Sequence, residues 1–115
     1  MKKYSVLVLF VFLVLCTFKI SAEDENPVFK SLKCNFCHKA DTGRAYPSLK
    51  EIAMAYDGDS KKLEQYLQGK AEPIVNKEKS KTMERYIEKT KVLSEDEMKS
   101  LVDYILSCKD VVTHQ

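Results

Sequence analysis

The sequence predicts an all-α domain, and three observations carry that prediction. Apolar residues recur at helical spacing wherever a pattern can be followed. Two Ser-x-x-Glu runs, Ser48 to Glu51 and Ser94 to Glu97, stand directly before such stripes and have the form of capping boxes. No run alternates apolar and polar residues as a half-buried strand does, and no internal repeat or low-complexity tract interrupts the pattern.

The first element is one the mature protein is expected to lose. Met1, Lys2 and Lys3 form a basic start, followed by the apolar run Tyr4 to Phe18 and then by Lys19-Ile20-Ser21-Ala22. That run is shorter than the roughly 20 residues a spanning helix needs. Residues 1–22 therefore read as a secretory leader cleaved after Ala22. An uncleaved anchor is the alternative, and a lipoprotein processed at Cys16 is disfavoured by bulky Leu15 before it. The remaining 23–115 is one short domain with 16 Lys/Arg against 17 Asp/Glu, a net charge of −1. That balance excludes the strongly basic face of a nucleic-acid binder.

Asn26 caps a first helix with Pro27 at its opening position, where a missing N–H costs nothing. Val28, Phe29 and Leu32 share a face that runs into Cys34. After a glycine-containing loop, the box at Ser48 starts a second helix with Leu49, Ile52, Ala53 and Tyr56 on one side, ended by Gly58. Asp59 or Ser60 starts a third, with Leu63, Tyr66 and Leu67 inward and Gly69 as its stop. Lys70 to Lys91 has a looser pattern, expected to be mostly loop with one helical turn after Thr82. The box at Ser94 opens the last helix, with Leu93 stapled on Met98 and a stripe of Leu101, Val102, Ile105 and Leu106.

The chemistry concentrates in Cys34-Asn35-Phe36-Cys37-His38. Cys-x-x-Cys-His is the attachment run of c-type haem. One helical turn presents both sulfurs to the two vinyl groups, and the adjoining imidazole becomes the proximal iron ligand. Two other partners fit the residue types. Cys34 and Cys37 could form a redox dithiol, which usually occupies a strand-to-helix turn. Cys34, Cys37, His38 and Cys108 could hold zinc, although Cys108 lacks the second knuckle such sites prefer. Export favours the haem.

The iron takes a second axial ligand for electron transfer or keeps an open site for binding or catalysis, and the candidates for a ligand are Met54, Met83, Met98 and His114. Met98 belongs to the last helix's stripe, Met54 points away from the buried face of its own, and His114 is at the chain end. Met83 lies 45 residues beyond His38 with no helical stripe claiming it, and is the expected ligand. A His/Met pair fills both axial sites and suits single-electron transfer.

These residues together resemble the short bacterial class I monohaem cytochromes c, over nearly the whole of 23–115. "VFKSLKCNFCHKAD" is similar to that family's first helix and haem site, "YPSLKEIAMAYDGD" to the helix after its haem loop, and "LSEDEMKSLVDYILS" to its C-terminal helix. The resemblance implies four or five helices wrapped around one covalently bound haem c, with no sheet. It implies an aromatic contact of Phe29 with Tyr104 and a carbonyl from Pro47 to His38. It implies an electron carrier, not an enzyme, working as a monomer between redox partner proteins in the periplasm. Tyr46 stands where relatives commonly have Gly, and Met83 lacks the usual neighbouring proline. With no tryptophan to bond a haem propionate, Tyr46, Arg44 or a lysine is expected to do so. The other functions in view are a haem-based sensor or small peroxidase with an open sixth site, and a zinc-held interaction module.

Two features remain. Lys70 to Lys91 holds seven Lys/Arg against four Asp/Glu, and with Lys30, Lys33 and Lys39 could form a docking face for an acidic partner. Otherwise it is an ordinary solvated surface. Cys108 falls beside the last helix's stripe and is expected to be a buried thiol, the alternative being an intermolecular disulfide. The apolar stripes are too few to seal an interior alone, so the chain without cofactor is expected to lack cooperative structure.

Overall fold

The structure is a computed structural model that describes residues 25–41, 43 and 45–110. The expected leader over 1–22, Arg44 and His114 fall outside these residues. Five α-helices are present among them: α1 (Pro27–Ser31), α2 (Leu49–Tyr56), α3 (Ser60–Leu67), α4 (Ser80–Thr90) and α5 (Glu95–Ser107). Short 3-10 turns follow α1 (Cys34–Phe36), precede α4 (Lys77–Lys79) and extend α5 (Cys108–Asp110). No strand occurs among the described residues.

The helix starts follow their capping side chains. Asn26 Oδ1 accepts from the amides of Val28 and Phe29, with Pro27 next to it. Ser48 and Glu51 form a complete capping box, as do Ser94 and Glu97, each satisfying two amides that the first turn leaves without partners. Asp59 caps α3 through the Lys62 amide. Gly58 (φ 76°) and Gly69 (φ 72°) take the left-handed backbone that ends α2 and α3.

The first helix is shorter than its apolar spacing implies. It stops at Ser31, and Lys33 adopts a left-handed conformation (φ 61°) that breaks the hydrogen-bond ladder before Cys34. The larger departure is α4. The segment expected to be mostly loop contains eleven helical residues. Ser80, Met83, Tyr86, Ile87 and Thr90 form its inner face, while the Lys, Glu and Arg residues between them are exposed.

Helices α1, α2 and α3 all pack on α5. Phe29, Leu49, Tyr56, Leu63, Leu67, Met98, Leu101, Val102 and Ile105 are buried in one cluster, with Leu93 packed against it. The Phe29 and Tyr104 rings meet at the crossing of α1 and α5. Asn26 Nδ2 adds a hydrogen bond to Ser100 Oγ at 2.8 Å there. By contrast, the substantial backbone neighbours of α4 are confined to the turn before it. That helix is tethered at its two ends: Lys79 Nζ donates to Ala45 O at 2.8 Å, and Thr90 Oγ1 donates to Leu67 O at 2.5 Å. Between the tethers, α4 faces the other helices across a cavity.

Candidate functional site

The Cys-x-x-Cys-His run is a tight turn. Cys34 O accepts from the amides of Cys37 (3.2 Å) and His38 (2.9 Å), which brings the three functional residues onto one short stretch. Cys34 and Cys37 are free of any disulfide and half-buried. Burial above all raises the Cys34 thiol pKa; its own backbone hydrogen bond opposes this, the neighbouring Cys37 adds to it and Lys89 offsets it.

The loop after His38 is closed by backbone pairing. The amides of Leu49 and Lys50 donate to the carbonyls of Lys39 and Ala40, so the chain returns beside the histidine. His38 Nδ1 then lies 2.7 Å from Pro47 O. A carbonyl only accepts, so this contact requires the proton on Nδ1, and in the neutral imidazole the lone pair is then on Nε2. Such a second partner is the usual device for fixing the orientation of a metal-binding imidazole.

His38 and Cys34 open into this cavity between α4 and the other helices. Its walls are mostly apolar. Leu49, Ile52 and Tyr56 come from α2, Leu63 and Leu67 from α3, and Leu101 and Ile105 from α5. From the facing side, α4 contributes Met83, Tyr86 and Thr90. A smaller adjoining hollow is shared by Cys34, Cys37, His38, Tyr46, Met83 and Tyr86, with Lys33 and Thr82 at its sides. Imidazole and thioether therefore border the same space beside the cysteine pair.

The other methionines of the described residues lie elsewhere. Met54 is 56% exposed on α2, and Met98 is buried in the core at 4%. Neither lines the cavity. Cys108 is buried, its Sγ 3.4 Å from Tyr104 O, and burial raises its thiol pKa. It does not join the first pair: among the described residues, no three His, Cys, Asp or Glu side chains gather as a metal cluster would require. The zinc set has no geometry here.

An apolar cavity with a nitrogen and a sulfur donor on its walls, and two thiols at one side, suits a porphyrin with axial ligands. The family model for cytochrome c matches residues 26–109. The chain belongs to the cytochrome c family. The comparison with curated proteins returns no match. Membership implies covalently bound haem c and haem-based electron transfer, and Cys34 and Cys37 stand in the run that attaches the group. The all-α architecture is that of a small cytochrome c. No helix among the described residues is long and apolar enough to cross a membrane.

Sequence reasoning missed two parts of this cytochrome's site. Tyr86 and Thr90 line the cavity from α4, and the signal was available: Met83, Tyr86, Ile87 and Thr90 recur at i, i+3, i+4 and i+7. Lys79 also lines the cavity while its ammonium holds Ala45. No local pattern announces a contact between residues so far apart in the chain.

Proposed function

We propose that this cytochrome c is an exported, monomeric, bacterial class I electron carrier with His38 and Met83 as the axial ligands of a single haem. In this reading residues 1–22 are removed, 23–115 is the mature domain, and the protein shuttles electrons between respiratory partners in the periplasm. The observation that carries the reading is the lining of the cavity by His38, Met83 and Cys34 together, with Met54 and Met98 outside it.

The haem supplies a one-electron Fe(III)/Fe(II) couple. The chain's residues hold and tune it. Pro47 keeps His38 in the Nδ1–H tautomer, which makes Nε2 the donor. The two tethers of α4 fix the backbone that carries Met83. Apolar side chains from α2, α3 and α5 would exclude water from the couple's surroundings, and Lys79 on the cavity wall would offer a cation to a haem propionate. With both axial positions filled by protein, no coordination site is left for a substrate, which is why the reading is a carrier and not a sensor or peroxidase. In this reading the exposed lysines of residues 70–91, joined by Lys30, Lys33 and Lys39, are the docking face for an acidic partner.

Coupled electrochemistry and carbon monoxide binding test this reading. The holoprotein is expected to show a reversible single-electron wave and no carbon monoxide complex at neutral pH. Ready binding of carbon monoxide to the reduced protein would favour the open-site alternative and overturn it.

A further inference from the structure

Tyr46 has a position that electron carriage alone leaves without a task. It is half-buried, lines both the main cavity and the smaller hollow, and meets the His38 ring in a T-shaped arrangement. The two ring centroids are 6.5 Å apart with planes at 68°. The residues on either side of it are both tied down. Pro47 O holds His38 Nδ1 at 2.7 Å, and Ala45 O holds Lys79 Nζ at 2.8 Å. Preceding a proline further narrows the backbone choices of Tyr46. The ring is thus mounted on a three-residue strap with little freedom to swing away.

Two consequences for His38 follow from that mounting. An edge-to-face contact favours one relative setting of the two rings, so the imidazole plane has a preferred orientation. Tyr46 also directly precedes Pro47, whose carbonyl accepts the Nδ1–H bond, so its aromatic bulk is in reach to keep competing water from that bond. A hydrogen bond in a drier environment is electrostatically stronger and makes the opposite nitrogen a better donor.

We propose that Tyr46 is a positioning residue for the axial histidine. Its ring sets the orientation of His38 and shields the bond to Pro47, and through both it adjusts the electron density that His38 offers a metal. This role belongs to the ring and does not need the hydroxyl. The proposal rests on the reading of His38 as an axial ligand and adds to it a residue outside the attachment run.

The test compares reduced holoprotein carrying Tyr46→Phe, Tyr46→Leu or Tyr46→Ala by proton NMR and voltammetry. In the unsubstituted protein the His38 ring protons should be shifted strongly upfield by the porphyrin. Their absence would remove the axial histidine and this proposal with it. Given that signature, Tyr46→Ala is expected to speed exchange of the His38 Nδ1 proton at least tenfold and to move the midpoint potential. Tyr46→Phe is expected to leave both within twofold and unmoved. Tyr46→Leu, which keeps apolar bulk if the alanine variant does not fold, should retain slow exchange while changing the haem-methyl shift pattern of the oxidised form. Wild-type exchange and potential in Tyr46→Ala, an unaltered shift pattern in Tyr46→Leu, or equal damage from Tyr46→Phe would each overturn the proposal while leaving the axial histidine intact.

Discussion

The rings of Phe29 and Tyr104 meet with centroids 5.2 Å apart and planes at 59°, and this contact anchors α1 to α5. A five-residue helix has no stability of its own, so α1 depends on what it packs against. Phe29 is only 2% exposed. Truncation in Phe29→Ala is expected to cost about 3–5 kcal/mol, a large part of a small domain's stability. Tyr104→Phe keeps the ring pair and should cost far less. Denaturant midpoints of the two holoproteins check this, and a loss below about 1 kcal/mol for Phe29→Ala would contradict it.

Thr90 holds the far end of α4. It is 2% exposed, and its hydroxyl donates to Leu67 O at 2.5 Å and also to Ile87 O at 3.2 Å. Thr90→Val keeps the shape and leaves the Leu67 carbonyl without its donor, at an expected cost of about 1–3 kcal/mol. Because the same helix carries Met83, the substitution should also speed displacement of the sixth ligand by added imidazole. Unchanged stability together with unchanged displacement kinetics would show that the tether has no such role.

How far the sequence reveals this structure depends on the range of the interaction involved. The starts of α2 and α5 were legible because a capping box is complete within four residues. The cysteine pair and its histidine were legible for the same reason. Pro47 and the Phe29–Tyr104 contact were reached through resemblance, since no local spacing links them. Helix α4 has its i, i+3, i+4, i+7 stripe in the sequence, but composition masks it. Its inner stripe includes a polar Thr90, its outer face is dense with charge, and its N-cap Lys79 makes no side-chain cap. The sequence therefore leads one to expect Met83 in a loop, whereas it occupies a helix that two long-range tethers hold against the cavity. Tyr46 beside His38 depends on how a loop closes, which pairwise patterns along the chain do not encode.

Alkaline pH should weaken the fold through Tyr56. Burial first, and Tyr66 second, push its hydroxyl up to about 12 from the ordinary 10.0, against a hydrogen bond with the Ile74 backbone. The folded state keeps the neutral phenol over a range where the unfolded chain has released its proton. The stability this contributes is fully present below pH 10.0 and is lost as pH rises through about 12. The total loss is on the order of 2–3 kcal/mol. Denaturation followed from neutral pH to pH 12 should show that decline, and Tyr56→Phe should flatten it. Identical pH slopes in the two proteins would refute the assignment.

The lysine face predicts a salt dependence. Electron transfer to an acidic redox protein should slow as ionic strength rises, because charges on separate molecules are screened beyond about 8 Å at physiological salt. Lys33→Glu and Lys81→Glu should lower the low-salt rate severalfold and leave the high-salt rate nearly unchanged. Stopped-flow rates that do not vary with salt would mean that these lysines are ordinary solvated surface.

Which sulfur reaches the iron is reported directly by the far-red absorption band that sulfur ligation gives the oxidised holoprotein. Measured across Met54→Leu, Met83→Leu and Met98→Leu, the band is predicted to vanish only in Met83→Leu, with a fall in reduction potential in the same variant. A band that survives Met83→Leu and disappears in Met98→Leu or Met54→Leu would contradict the assignment of the α4 methionine as the sixth ligand.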